Sequence, residues 1–251
     1  MMMLRSTIKA NRSKILFILI CAIIFIVYKS LFSADNTRLK TETSDDSSLK
    51  FKEDSFVQTQ NQRGIKPKPV TISIFYECLC PDSRSFFLHH LLPSYERAPH
   101  LIDLEFIPYG KAKTFIEDGK YKFSCQHGSV ECYGNKIHAC SIAKVYDQTT
   151  LLELLSCMIN DNMIPEERGV QCCADHGVDW KPIQECAASS EGELLLKEHG
   201  ETTDLLRPPV SFIPTILLNK SQRDQRAILK NLWKELCKLF PKESIPEECL
   251  T

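Results

Sequence analysis

The placement of the cysteines limits the possible folds more than any other feature of this chain. There are twelve in 251 residues, and setting aside Cys21 leaves eleven downstream of a single apolar run. In a reducing compartment so many thiols would suggest metal binding or catalysis. Behind a secretory signal they read as a disulfide framework. The N-terminus separates these cases. Arg5, Lys9, Arg12 and Lys14 precede the apolar run Ile15 to Tyr28, "ILFILICAIIFIVY". Its length suits the apolar region of a signal peptide, but Lys29 can snorkel and "SLFSA" extends the stretch to about 20 residues. No small-x-small cleavage site follows, because the candidates place Leu31 or Phe32 where a small residue is needed. The basic residues ahead of the run favour a cytoplasmic N-terminus over residues 1–14. Residues 15–34 therefore read as an uncleaved type II signal anchor, with a cleaved signal peptide as the alternative. Either way the rest of the chain enters the oxidising secretory pathway, as a single-pass membrane protein or a secreted one. A net charge of −1 with 25% charged residues leaves no electrostatic footprint for nucleic acid.

Residues 35–69 are rich in Ser, Thr, Asp, Lys and Gln, with Phe51 and Phe56 as the only aromatics. Such a segment buries too little apolar area to offset its ordering entropy, and it reads as a flexible stalk. The folded domain is expected over 70–251. "VTISIFY" (Val70 to Tyr76) has the β-branched and aromatic character of a buried strand. Pro81 suits a first helical position, and Phe87, Leu88, Leu91 and Leu92 carry a helix as far as Pro93. Ile102, Leu104 and Phe106 alternate with Asp103 and Glu105 in a second strand. A Cys-rich, helical region follows over about 120–205. Thr150 with Glu153 and Ser190 with Glu193 form capping-box patterns, and Gly200 is a plausible helix stop. "VSFIPTILLNKS" reads as a short strand entered by Pro214. Leu229, Leu232, Trp233, Leu236 and Phe240 share one face of a closing helix. Between them "NKSQRDQ" gives no apolar support for a further strand.

A strand that delivers a cysteine to the first turn of a helix is a chemical device in its own right. Free backbone N–H groups and the helix dipole stabilise a thiolate there. Cys80-Pro81-Asp82-Ser83 meets that description. Asp82 both opposes the thiolate by like charge and suits a helix start, and the two effects conflict. With Pro214 entering a strand downstream, the outline resembles the thioredoxin architecture. That makes an α/β (α+β) domain with a helical, disulfide-rich insertion between the second strand and the proline-entered one.

A second motif sharpens this. "CQHGSVECYGNKIHAC" fixes Cys125, Gln126, His127, Gly128, Glu131, Cys132, Asn135 and Cys140. This resembles the signature of the gamma-interferon-inducible lysosomal thiol reductase family: CQHG, two residues, EC, two residues, N, four residues, C. The resemblance runs from about Val70 to Cys249. It implies a thioredoxin-like fold and the reduction of disulfides in protein substrates within acidic endosomes and lysosomes. Active members of the family carry cysteine where this chain has Ser83.

That departure falls on the chemistry. The first thiolate attacks a substrate disulfide, and a second thiol must release the product. A hydroxyl forms no S–S bond, so Cys80 is expected to act as a monothiol served by an external thiol reductant, with no bound cofactor. Cys78 is a possible resolving thiol, although a Cys78–Cys80 bridge would close a very small ring; a bridge from Cys78 to another cysteine is the favoured alternative. If Cys80 stays free, Cys78, Cys125, Cys132, Cys140, Cys157, Cys172, Cys173, Cys186, Cys237 and Cys249 can all be bridged, in five pairs whose connectivity the sequence does not give. The resemblance accounts for eight of these positions as structural and leaves Cys78 and one of Cys172 and Cys173 as extras. Cys125, His127, Cys132, His138 and Cys140 offer zinc ligands, but their spacing is not that of a zinc ribbon, and no metal is expected. His127 reads as a structural hydrogen-bonding residue, and His89 and His90 as solvated or packed side chains. Asn219-Lys220-Ser221 is an N-glycosylation sequon at a turn. Two functional classes follow: a thiol–disulfide oxidoreductase, or an inactive relative acting as a luminal binding protein.

Overall fold

The computed structural model describes residues 67–250. The readings for 1–14, 15–34 and nearly all of 35–69 lie outside the described residues. Among the described residues, no helix is long and apolar enough to cross a membrane.

Val70–Tyr76 forms β1, in which every residue except Thr71 is buried. The burial follows from position, since β1 is the middle strand of a three-stranded sheet. β2 (Ile102–Pro108) runs parallel to it and pairs Phe106 with Ile74. β5 (Thr215–Leu218) runs antiparallel and pairs Ile216 with Ile74. Side chains alternate across the sheet. Ile72, Ile74 and Tyr76 enter the main core, whereas Phe75 packs with Ile107 and Leu217 on the other face.

The crossover from β1 to β2 comprises α1 (Pro81–Phe86), a π-helical turn (Phe87–Leu91) and α2 (Leu92–Arg97). The sequence predicted an end at Pro93, yet the helix runs on to Arg97. Proline lacks an N–H and crowds the carbonyl four residues back. The wider π turn just ahead of it accommodates both defects. Phe86, Phe87, Leu91 and Tyr95 thus stay on the core.

After β2 comes a hairpin absent from the sequence reading, β3 (Lys113–Glu117) with β4 (Lys120–Ser124). Its two-residue turn has positive φ at Asp118 (50°) and Gly119 (72°), the conformation a tight hairpin requires. Five helices follow: α3 (Gly128–Lys144), α4 (Gln148–Asn160), α5 (Pro165–Asp175), α6 (Trp180–Ala188) and α7 (Ser190–Asp204). Both predicted capping boxes are displaced. Asp147 caps α4 by accepting from the Thr150 N–H, and Ser189 caps α7 by accepting from the Glu191 N–H. Gly200 does not stop α7. It lies against the Tyr109 ring, where a Cβ would come within 2.6 Å of a ring carbon.

The closing helix is two, α8 (Gln225–Lys230) and α9 (Leu232–Cys237), separated at Asn231, whose side chain accepts from the Lys234 N–H. Ile228, Leu232, Leu236 and Phe240 remain in the main core. Between β5 and α8 the chain makes only a bridge from Leu218 to Ser221.

The bridges are Cys125–Cys132, Cys140–Cys186, Cys157–Cys172 and Cys237–Cys249. Cys140–Cys186 ties α3 to α6, and Cys157–Cys172 ties α4 to α5. Full pairing of the ten candidates is not observed, because Cys173 and Cys78 are free and buried. Neighbouring helical residues point about 100° apart, so only one of Cys172 and Cys173 can face Cys157. Asn219 is exposed at φ 48°, and its Oδ1 accepts from the Thr71 N–H at 3.0 Å.

Candidate functional site

The tyrosine that ends β1 is followed by Glu77, Cys78, Leu79 and Cys80, a turn closed by a hydrogen bond from the Cys80 N–H to the Glu77 carbonyl at 3.2 Å. Cys80 is the N-cap of α1, with extended backbone and Pro81 next to it. Its carbonyl accepts from the Arg84 N–H at 3.0 Å, so the sulfur stands at the open end of the first turn. The thiol is free, 8% exposed, and donates to the Ile213 carbonyl at 3.8 Å. The Ile213–Pro214 peptide bond is cis. The sequence-predicted pair Cys80 and Pro214 is thus brought together from two distant segments. Ser83, one turn into α1, is buried, and its Oγ accepts from the Glu77 N–H at 3.4 Å.

Cys78 faces elsewhere. Its sulfur donates to the Glu131 carbonyl on α3 at 3.6 Å and is 2.5 Å from where a Cβ on Gly134 would sit. Its N–H donates to Asn135 Oδ1 at 2.9 Å, and Asn162 Nδ2 donates to its carbonyl. Burial pushes the Cys78 thiol well above the ordinary range, and the carboxylates of Glu131 and Glu77 push it further. A thiol so held is a poor nucleophile.

Glu77 is the residue that the sequence reading missed, although a carboxylate at the end of an apolar strand is itself a signal. It is 1% exposed. Its Oε1 accepts from the Lys111 N–H at 2.8 Å, and the Gln126 amide, turned to donate, lies 3.1 and 3.2 Å from its two oxygens. His127 Nδ1 is 3.7 Å from Glu77 Oε2 and 2.5 Å from Glu131 Oε2. Burial raises the Glu77 pKa and Glu131 adds to the rise, while the Lys111 N–H and His127 oppose it. The signature residues Gln126, His127, Glu131 and Asn135 therefore surround the turn that carries Cys80. Gly128, at φ 82°, starts α3 beneath them. Cys125 and Cys132 close the same loop as a disulfide, so neither is available to zinc.

Beside the thiol, a groove of about 250 Å³ runs between α1 and the cis-proline loop, lined by Asp82, Phe86, His90, Phe212, Ile213 and Pro214 among others. Here the structure adds to the sequence reading of the histidines. His90 packs on Phe86 and lines this groove, and burial, then His89, lowers its pKa. His89 instead turns back to the Ser85 carbonyl at 3.1 Å.

A free thiol capping a helix opposite a cis-proline, on a β–α–β unit with an antiparallel strand beside it, places the molecule among thioredoxin-like thiol–disulfide oxidoreductases. Comparison with known proteins narrows the class. The family model described as "Gamma interferon inducible lysosomal thiol reductase (GILT)" matches residues 71–176, a span holding Cys80, Ser83 and the whole signature. GILT-like protein 1 of Drosophila melanogaster is 35% identical over 60% of this chain and 66% of its own length. The gamma-interferon-inducible lysosomal thiol reductase-like protein of Anopheles gambiae is 32% identical, over 72% of this chain and 80% of its own. Among solved structures, Chlamydia trachomatis DsbA aligns with 66% of this chain and 87% of its own at a TM-score of 0.46 and 13% identity. The chain belongs to the gamma interferon inducible lysosomal thiol reductase family.

Proposed function

We propose that the protein is a monothiol disulfide reductase of the secretory and endolysosomal pathway, acting through Cys80 on disulfide-containing protein substrates. One observation carries the reading: Cys80 is a free thiol at the helix start, while the place of its usual partner is held by buried Ser83. The Cys80 thiolate attacks a substrate disulfide, forming a Cys80–substrate bond and releasing one substrate thiolate, which takes up a proton. An external small thiol then attacks the Cys80 sulfur, releasing the second substrate thiol and leaving Cys80 in a mixed disulfide with the donor. A second donor thiol restores Cys80. In sum, one substrate disulfide and two thiols become two substrate thiols and one small disulfide. Buried Cys78, held on α3, takes no part. The groove beside Pro214 receives the chain flanking the substrate disulfide. The run Ile15 to Tyr28 anchors or directs the protein into the lumen, where Asn219 is the glycan acceptor.

The test is trapping. Incubated with a disulfide-bonded substrate and no reductant, the wild type is expected to accumulate a mixed disulfide at Cys80 that clears when small thiol is added. Cys80→Ser should form none, and Cys78→Ala should behave as wild type. Equal substrate reduction by wild type and Cys80→Ser under thiol would refute the enzyme reading and leave a binding protein.

A further inference from the structure

We infer that Glu77, His127 and Glu131 form a binding site for one divalent cation of the zinc class. The three come from the end of β1, the signature loop and the first turn of α3, and their ligand atoms lie within 4.8 Å of one another. Zinc takes imidazole nitrogen and carboxylate oxygen at about 2.0–2.1 Å, so neighbouring ligands of a tetrahedral ion sit roughly 3.3 Å apart. The distances from His127 Nδ1 to Glu131 Oε2 (2.5 Å) and to Glu77 Oε2 (3.7 Å) bracket that spacing. A small swing of the His127 ring, 42% exposed, would even them.

Two features separate this cluster from an ordinary group of surface carboxylates. First, both carboxylates are buried, at 1% and 0% exposure, and the cation in ion-pair contact with both among the described residues is the shared histidine, with Lys111 acting on Glu77 from farther off. Two carboxylates buried this close together repel one another, and a bound cation between them would relieve that cost. Second, the outer oxygens are already occupied. Glu77 Oε1 accepts from the Lys111 N–H at 2.8 Å and Glu131 Oε1 from the His127 N–H at 3.0 Å. Both Oε2 atoms face the imidazole, as monodentate carboxylate ligands fixed by backbone N–H groups would, and an ion there would take the place of the Gln126 amide, which lies 3.2 Å from Glu77 Oε2. The exposed side of His127 gives an ion its entry and leaves room for water. Two carboxylates and one imidazole suit zinc or manganese better than a thiolate-preferring ion.

The site shares a residue with the redox turn. The Glu77 backbone bonds both the Cys80 N–H and the Ser83 hydroxyl, so a bound ion would tie the signature loop to the segment carrying the reactive sulfur. Binding itself involves no thiol, and its test is independent of the proposed reductase activity.

The full-length protein carrying Cys80→Ser, which removes the most exposed free thiol among the described residues, is titrated with zinc near neutral pH by calorimetry and examined by X-ray absorption. One ion per chain is expected, in a shell of nitrogen and oxygen at about 2.0–2.1 Å with no sulfur at about 2.3 Å. Glu77→Gln and His127→Gln should each weaken binding by roughly tenfold or more. His127 is exposed, so His127→Gln keeps the test open even if a change at a buried glutamate impairs folding. Absence of binding below about 1 mM zinc, a sulfur-containing shell, or unchanged affinity in a folded His127→Gln variant would each overturn the assignment.

Discussion

Ser83 occupies a place that accepts a small side chain and little else. It is fully buried, with its hydroxyl beneath the Glu77 N–H at 3.4 Å. Residues three apart on a helix share a face, so position 83 is one turn from the Cys80 sulfur. A thiol fits there with modest loss, since exchanging a long neutral hydrogen bond for a weaker one costs about 1 kcal/mol. Ser83→Cys is therefore expected to supply the missing resolving thiol. In a coupled reduction assay its turnover should rise by about tenfold or more over wild type, and the Cys80–substrate adduct should no longer accumulate, because release becomes intramolecular. An adduct as long-lived as in wild type would mean that position 83 does not face the reacting sulfur.

At the scale of elements, what matters is how closely α3 approaches the end of β1. Gly134 makes the contact, since a Cβ there would meet Cys78 Sγ at 2.5 Å and Pro165 Cγ at 3.2 Å. Gly134→Ala is expected to destabilise the fold by about 1–3 kcal/mol, the usual cost of overpacking. Cys78→Ala removes the obstructing sulfur, so the double variant should cost less than the sum of the single ones, as read by urea denaturation of all four proteins. Strict additivity would disprove the contact. That packing was hidden from the sequence, which showed Cys78 only as a candidate bridge or resolving thiol. Other elements were legible in different degrees. β1, β2 and the proline-entered strand follow from their apolar residues and from Pro214. The β3–β4 hairpin has one signal of its own, Asp118-Gly119 at the turn, but β3 is exposed throughout and Phe115 and Ile116 are adjacent, so no two-residue alternation marks it as a strand. The continuation through Pro93 depends on a π turn that propensity does not encode. In the site, Cys80 and Ser83 are legible from the local strand-to-helix motif, and Pro214 from its place at the entry of a strand. Glu77 is not, because its part depends on four partners brought from separate places in the chain. Which of Cys172 and Cys173 is bridged depends on the face of α5 that meets α4, which the sequence does not display.

For the whole molecule, the question is how a fold with a neutral histidine in its core tolerates an acidic lumen, the compartment proposed for it. His138 is 3% exposed, and its Nδ1 lies 3.0 Å from the Tyr76 hydroxyl. Burial lowers its pKa to about 3, whereas an unfolded chain titrates near 6.5. A depressed histidine pKa means that above about pH 6.5 neither state binds the proton and the full stability is present. Between about pH 6.5 and pH 3 the unfolded chain takes up a proton that the native state refuses. Stability then falls by about 1.4 kcal/mol per pH unit, or roughly 2 kcal/mol by pH 5. The bridges oppose this loss. Cys140–Cys186 spans 46 residues and Cys157–Cys172 spans 15, which the chain-entropy relation values at about 4 and 3 kcal/mol. The fold should thus stay native at pH ~5 when oxidised, and lose most of that margin once the bridges are reduced. His138→Gln keeps a partner for Tyr76 but removes the titrating group. It is expected to cost about 1–3 kcal/mol at neutral pH and to flatten the fall toward acid. Guanidinium denaturation of oxidised wild type and variant at a series of pH values reads both effects. Parallel slopes would show that the acid sensitivity arises elsewhere than at His138.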